Sequence, residues 1–401
     1  MRILYLSRAS SKATFDYIFN SAQNPIGHES QKFHSLVIDG LNNQNEISEI
    51  LSINILPINR NTHLFNFLFI SSESNHKIKY KYAPYFKSNL LRSMGAFICT
   101  FFWGTIWALT NVFRRKIIIS DSLNFSIGIT GMIIAKLFNI KIVSILTDLP
   151  ENMTGLNYRS NLREVIYRNV NSFFLNKYHG YILITQKMKE KLKSKIEYIV
   201  MEGLVASSYQ DISKPVQKSE LRVILYTGAV FKKYGIENLI KSFLLLKEND
   251  LQLLLLGPSD MITEINEYHK IDNRVVYGGV VPNEKVLELQ KSATLLINPR
   301  PSNLEYTSYS FPSKTIEYLA SGTPVLSTVL DGIPDEYWDY LIPISDESID
   351  GINGAVLTTL NLTSEKLNNI GKKSQEFILI SKNNIIQAKR IVELCNKVLN
   401  K

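Results

Sequence analysis

At 401 residues, with 45% hydrophobic and 20% charged residues, the chain is long for one core and too apolar for wholesale disorder. Forty-five Lys and Arg against 36 Asp and Glu leave a net charge of +9, which favours phosphates, nucleotides or acidic lipid surfaces as partners without choosing among them. Only Cys99 and Cys395 are present, far apart, which excludes a disulfide framework and a Cys-rich metal site and suits a reducing cytoplasm.

The opening MRILYLSRAS is a strand-like run at residues 3–7, without the apolar stretch and cleavage site of a signal peptide. A Gly- and Asn-containing loop leads to a predicted helix at 31–42. Residues 93–113 contain no charge, are rich in aromatics and lie between Arg92 and the run Arg114-Arg115-Lys116. That length suffices to span a bilayer. Gly95, Thr100, Gly104, Thr105, Thr110 and Asn111 dilute it, so the expected seat is a buried or partly surface-seated helix. Contact with a membrane is the alternative, and a true span the least favoured. Strands at 116–121, 141–147 and 181–185 alternate with a helix at 125–138 and a basic helix at 186–195, the signature of parallel β/α architecture.

From Tyr209 to Glu220 the chain turns polar, with Lys214-Pro215 in the middle, and the domain boundary is placed there. This gives an N-terminal domain at 1–213, a second domain at 214–380 and a terminal helix at 381–401 that could pack across both. The second domain alternates clearly: strands at 223–226, 251–256, 274–277 and 294–298, and helices at 235–247, 259–269 and 283–291. The fold class is therefore α/β, with two doubly wound parallel sheets. The basic residues concentrate at 77–92, 114–116 and 187–195 without the aromatic interleaving of an RNA motif, so nucleic acid is not an expected partner.

Open parallel sheets bind ligands beyond the carboxyl ends of their strands, which makes the loops after Tyr226, Leu256, Tyr277 and Asn298 the informative ones. The first reads Thr227-Gly228-Ala229-Val230-Phe231-Lys232-Lys233-Tyr234-Gly235 and leads into a helix. Glycine lets backbone amides approach a phosphate, and lysine adds a point charge; an ordinary βα turn with exposed lysines has the same appearance. Gly257-Pro258-Ser259 and Gly278-Gly279-Val280 follow the next two strands, where tight turning explains each singly and room for a flat base and ribose explains them together. The densest segment is NPRPSNLEYTSYSFPSKTIEYLASGTPV, residues 298–325. Pro312-Ser313 can start a helix, with Ser313 either capping it or offering amides to an anion. Glu317 suits a ribose diol, its bland role being a favourable charge near a helix N-terminus.

YTGAVFKKYGIENLI, LLLLG, VVYGGVVPNEKVLELQKSATLLINPRP and FPSKTIEYLASGTPVLST resemble, in order and spacing, the C-terminal motifs of family 4 retaining glycosyltransferases, and the N-terminal loop with Gln31-Lys32-Phe33 resembles those of polysaccharide-assembly members. The resemblance covers residues 222–345 and implies a GT-B fold, two Rossmann-like domains facing across a cleft. It also implies transfer of a sugar from a nucleotide donor, UDP-linked by preference, with retention and without an essential metal or other cofactor. Gly228 matches the glycine that approaches the diphosphate, Glu317 the second glutamate of the Glu-x7-Glu motif, and Gly279 and Val280 the loop beside the base. Ser313 and Lys314 fall where the diphosphate or sugar is approached.

The chain departs from that pattern at three places. Tyr309 stands where the first glutamate is usual, with Glu305 four residues too early. The Gly-Arg start of the phosphate loop is Gly228-Ala229, so the diphosphate charge falls to Lys232, Lys233 or Arg300. The usual His-Asp of the N-terminal domain reads Thr147-Asp148, leaving Asp148 as the candidate for acceptor contact, with capping of the turn before Pro150 as its other role. A GT-B-fold nucleotide-sugar epimerase and a non-catalytic nucleotide-sugar-binding subunit are the rival readings. The expected acceptor is a glycan or lipid-linked glycan, and the expected location the cytoplasm or the inner face of the cell membrane.

Overall fold

The computed structural model describes the whole chain except residues 23–28, 59–64, 150–168, 170–172, 193–194 and 213–220. The chain forms two compact units: unit 1 is Met1–Leu204 with Asn384–Lys401, and unit 2 is Val205–Asn383. The division thus falls at 204/205 and 383/384 rather than at 213/214 and 380/381; the first expected boundary, with Lys214-Pro215, lies outside the described residues.

Unit 1 is built on strands β1 (Arg2–Ser7), β2 (Glu49–Ile55), β4 (Glu73–Asn75), β5 (Ile78–Ala83), β7 (Lys116–Asp121), β8 (Ile142–Leu146), β9 (Gly180–Leu183) and β10 (Glu197–Val200), in the order β10-β9-β8-β7-β1-β2-β5-β4. All pairs are parallel except the edge pair β4 and β5. A separate antiparallel pair joins β3 (Phe67–Leu68) to β6 (Tyr85–Phe86). The inner strands are Ile-, Leu- and Val-rich and buried on both faces, as a parallel sheet covered by helices requires. From β1 the chain first adds β2 and β5 on one side and then returns to place β7 on the other, so the strand order reverses between β1 and β7.

The helices of unit 1 that lie wholly among the described residues are α1 (Lys12–Asn20), α2 (Glu29–Asn42), α3 (Asn89–Thr110) and α4 (Phe125–Leu137), together with the last helix of the chain. That last helix, α11 (Asn384–Leu399), buries Ala388, Ile391, Val392, Cys395 and Val398 in the core of unit 1. It crosses α2 so closely that a Cβ on Gly40 would overlap the Asn384 carbonyl oxygen. The basic helix expected at 186–195 is instead a 3-10 turn, Gln186–Lys191, which buries only Met188 and so lacks an apolar stripe to hold a longer helix.

Unit 2 has a six-stranded, all-parallel sheet: β11 (Arg222–Thr227), β12 (Leu251–Leu256), β13 (Val275–Gly279), β14 (Leu295–Asn298), β15 (Val325–Thr328) and β16 (Ile342–Ile344), ordered β13-β12-β11-β14-β15-β16. Here the order reverses between β11 and β14. Its helices are α5 (Ile236–Phe243), α6 (Ile262–Ile271), α7 (Asn283–Ser292), α8 (Ser313–Ser321), α9 (Ile349–Leu360) and α10 (Ser364–Ser381). The helix expected from 259 starts only at Ile262, because Ser259 donates its hydroxyl to the Val230 carbonyl and Asp260 accepts the Lys232 amide, holding both in the loop. Leu239, Ile240 and Phe243 of α5 pack with Leu253, Leu255, Leu295 and Ile297 of the sheet in one core.

Candidate functional site

The carboxyl ends of β11, β12 and β13 form a ledge of glycine backbone. Gly228, Gly257 and Gly279 all have positive φ, 146°, 131° and 68°. Leu256 accepts the Gly228 amide at 2.9 Å, and Gly279 accepts the Gly257 amide at 2.7 Å, so adjacent strand ends are tied to each other. A Cβ on Gly257 would overlap the Gly228 carbonyl oxygen, whereas one on Gly279 would meet nothing within 4 Å. Gly257 is therefore required for close approach of two loops, and Gly279 leaves open space above the sheet. Val280, next along, is 64% exposed.

Glu317 lies in α8, buried despite its charge. The amide of Gln290, itself fully buried, donates to Glu317 Oε1 at 2.9 Å and to Thr227 Oγ1 at 3.0 Å, while Lys314 Nζ stands 3.5 Å from the same carboxylate oxygen. Tyr318 accepts the Thr227 amide at 2.7 Å and donates to the Thr227 carbonyl at 2.9 Å. Burial holds the Tyr318 hydroxyl well above the ordinary tyrosine range, so it remains a proton donor at neutral pH. Residues 317 and 318 are in this way both fastened to Thr227, the residue before Gly228. Burial of a carboxylate needs such compensation, and Glu317 is presented as a pre-oriented acceptor. Gln290 and Tyr318 escaped sequence reasoning. Their signal was weak but present: α7, NEKVLELQKS, buries a single residue, and that residue is a glutamine.

Ser313 is the first helical residue of α8 and exposed, with Pro312 at the N-cap; no side-chain cap bond is made there. Of the two sequence readings of Ser313, capping is thus not realised; the Thr315 amide donates to the Pro312 carbonyl at 2.8 Å, and the Ser313 and Lys314 amides are those at the helix start.

The three expected cations separate into two groups. Lys232 Nζ is held 2.7 Å from Glu237 Oε2, a carboxylate that also takes Lys241 at 2.7 Å. Lys233 and Arg300 instead share one ring: the ammonium sits 5.1 Å and the guanidinium 5.0 Å from the centroid of Tyr234, which stacks on Phe231 at 5.9 Å. Gly235 makes this convergence feasible, since at φ 80° a Cβ there would overlap the Pro299 carbonyl oxygen beside Arg300. Structure thus brings Lys233 and Arg300 together and directs Lys232 to an ion pair on α5.

Tyr309 ends a 3-10 turn, Glu305–Tyr309, and is buried, while Glu305 is exposed. Its neighbour Ser308 donates to Asp331 Oδ2 at 3.0 Å. Asp148 lies in unit 1 just after β8, where its Oδ1 accepts the Leu149 amide at 2.8 Å; Pro150, invoked for its capping role, lies outside the described residues.

Unit 1 carries a polar cluster that sequence reasoning missed, at the reversal between β1 and β7. Tyr5 and His34 Nδ1 share a hydrogen bond of 2.9 Å, and His34 Nε2 lies 3.6 Å from Asp121 Oδ2, with both side chains almost wholly buried. Burial pushes the Asp121 carboxyl up, but the neighbouring His34 and Arg8 outweigh it and leave it below the ordinary carboxylate value. Ser7 donates to Asn54 at 2.9 Å, and Gln31 donates to Ser10 at 3.1 Å.

Residues 208–377 match the protein family described as Glycosyl transferases group 1. Over the whole chain, the structure is similar to the sucrose-phosphate synthase of Thermosynechococcus elongatus, with a TM-score of 0.68, 12% identity and 100% of both chains covered. HepE of Anabaena in complex with UDP follows at TM-score 0.64 and 12% identity, covering 99% of this chain and 100% of its own. The lipopolysaccharide outer core galactosyltransferase WaaB, in its apo form, gives 0.55 at 16% identity over 99% of each. No curated protein sequence matches. These likenesses show the α/β fold to be GT-B, and the residues that match the Glycosyl transferases group 1 family include the glycine ledge, Gln290 and Glu317.

Proposed function

We propose that the chain is a retaining hexosyltransferase of the family 4 type that moves a sugar from a UDP-linked donor to a glycan or lipid-linked glycan in surface polysaccharide assembly, at the cytoplasmic side. The observation that carries the donor reading is Glu317, a buried carboxylate aimed by Gln290 and fastened through Tyr318 to the strand end that opens on Gly228. A carboxylate so fixed can accept both hydroxyls of a ribose. Structures of HepE with UDP and with UDP-glucose, and the likeness to the galactosyltransferase WaaB, support the choice of uridine and of a hexose.

In this reading Gly228 approaches the diphosphate, Gly279 and Val280 flank the base, and Ser313 and Lys314 meet the diphosphate or sugar. Tyr309 faces the sugar in place of a glutamate. Lys233 and Arg300 stabilise the charge that grows on the leaving diphosphate as the glycosidic bond breaks, while Lys232 stays paired with Glu237. The acceptor hydroxyl attacks from the same face and its proton passes to the leaving phosphate, so neither a protein nucleophile nor a metal is needed; Asp148 is the residue of unit 1 that we assign to acceptor contact. Thermal stabilisation by a panel of UDP-, GDP- and dTDP-sugars, followed by product analysis with radiolabelled donor and NMR assignment of the new anomeric centre, tests it. Stabilisation by UDP-sugars and an axial or equatorial linkage matching the donor is expected. Donor consumed without an acceptor, yielding an epimer, overturns the transferase reading, and an inverted linkage overturns retention.

A further inference from the structure

Helix α3 is built the reverse way from an ordinary surface helix. Its inward face carries Ala96, Thr100, Gly104, Trp107 and Ala108, small residues apart from the tryptophan. Gly104 comes so near Ile134 of α4 that a Cβ there would crowd the isoleucine. Large apolar side chains point outward: Leu90 is 70%, Ile98 61%, Phe102 56% and Leu109 56% exposed, and Phe113, three residues past the helix end, is 99% exposed. An amphipathic helix of a soluble unit places its large apolar residues on the core, and here the core receives the small ones. The inward row from Ala96 to Ala108 covers about 18 Å at 1.5 Å per residue, so the helix lies flat on unit 1 along most of its length. The helix is long and apolar enough to cross a bilayer, yet that continuous seat leaves only one face available.

Charge singles out the partner. From residue 74 to residue 120 the sequence contains no Asp or Glu, but eight Lys or Arg. Arg92 lies near the start of α3, partly exposed, and Arg114 and Arg115 follow its end, both exposed. A second copy of the same face would set these cations against each other. An acidic lipid surface satisfies the apolar stripe and the cations at once.

We propose that the outer face of α3 is a membrane-docking surface that lies in the interface of an anionic bilayer, with Ile98, Phe102, Leu109 and Phe113 inserted and Arg92, Arg114 and Arg115 at the headgroups. Docking does not depend on the transferase reading, which the nucleotide panel tests separately.

Flotation of the full chain with vesicles of phosphatidylcholine alone, and of phosphatidylcholine mixed with phosphatidylglycerol, tests the docking. Binding to the mixed vesicles at low salt is expected, weakened by high salt and feeble on phosphatidylcholine alone. Taking about fivefold per basic residue near the surface, the combined variant Arg92→Gln, Arg114→Gln, Arg115→Gln binds about a hundredfold more weakly. The variant Ile98→Ser, Phe102→Ser, Leu109→Ser loses binding at any salt, with circular dichroism and nucleotide stabilisation reporting its folding; if it fails to fold, the arginine variant alone decides. Failure of the native chain to float with anionic vesicles at low salt overturns the proposal. So does flotation equal for the native chain and the arginine variant, or a concentration-dependent dimer that the serine variant abolishes while no vesicle binds.

Discussion

The two sheets of this protein end in opposite ways. In unit 2 the strand ends beside the reversal carry glycines, tied to each other through backbone hydrogen bonds and open above Gly279. In unit 1 the corresponding ends carry Ser7, Asn54 and Asp121, whose side chains are buried and turned toward one another or toward His34. A backbone ledge can take a flat ligand whatever its substituents, because close approach to side-chain-free backbone and open space are what it offers. A closed side-chain cluster fixes the shape of its own sheet end, at the cost of burying ionisable groups.

The sharpest way to break this comparison is to fill the ledge. Gly257→Ala sets a Cβ onto the Gly228 carbonyl oxygen at a φ of 131°. Overpacking of about 1–3 kcal/mol adds to about 1–2 kcal/mol of backbone strain. We expect a loss of about 2–5 kcal/mol, read from denaturant unfolding. Gly279→Ala, with nothing near its Cβ, should lose only the strain part. Equal losses for the two would mean that the ledge is not held by the close approach at Gly257.

Next in size is the carboxylate the ledge presents. Glu317→Ala is expected to weaken UDP binding by about 1.5–3 kcal/mol, the range for a hydrogen bond to a charged group, in a protein that stays folded. Gln290→Leu, which keeps the carboxylate but frees it to rotate, should loosen binding by about tenfold on the same scale, with Gln290→Glu failing to restore it because two carboxylates would repel. Isothermal titration of the folded variants decides. Unchanged affinity in Glu317→Ala would remove that residue from the site, and unchanged affinity in Gln290→Leu alone would leave Glu317 self-sufficient.

How far these features were legible in the sequence follows from how each is made. Glycines at successive strand ends are visible because strand periodicity fixes where each strand stops, and Glu317 is visible because its spacing from Pro312-Ser313 puts it inside a helix start. The His34–Asp121 pair joins residues 87 positions apart, and nothing in either local segment distinguishes a buried histidine from an exposed one. Likewise 49–55 and 78–83 are strands that the sequence reading passed over. β5, IKYKYA, alternates Lys79 and Lys81 with Tyr80 and Tyr82, whose rings stack at 6.2 Å, and its polar alternation masks a strand next to the edge of the sheet. For residues 93–113 the sequence gives length and apolarity, but which side of a helix faces the core depends on the partner: Gly104 meeting Ile134 turns the small residues inward.

Unit 1 is probed by acid. In the folded chain the Asp121 carboxyl lies below its ordinary 3.8 because His34 and Arg8 overcome the opposing effect of burial. A carboxyl lowered by folding contributes stability above its unfolded value, and that contribution disappears as pH falls through the folded value. Asp121→Ala, which also leaves His34 without its carboxylate, is expected to destabilise unit 1 by about 1–3 kcal/mol near neutral pH. The gap between native and variant should close on acidification below about pH 4. A gap that widened in acid would mean that the folded carboxyl is raised rather than lowered.

The smallest effect tests the division among the cations of unit 2. Lys232 is paired with Glu237 and largely exposed, while Lys233 and Arg300 rest on the ring of Tyr234. Rings that hold a cation by its face also restrict where the side chain can swing, so Lys233 and Arg300 are pre-placed in a way that an exposed lysine on a flexible stem is not. Lys232→Ala should therefore leave UDP affinity and turnover on a confirmed donor unchanged within error. Lys233→Ala and Arg300→Ala should each lower turnover, one partly covering for the other, with the double variant falling below either single change. Tyr234→Leu, which removes the shared ring without touching a charge, should reproduce part of the double variant's loss. If Lys232→Ala proved as damaging as Lys233→Ala, the Glu237 pair would have to open when donor binds, and Lys232 would rejoin the diphosphate.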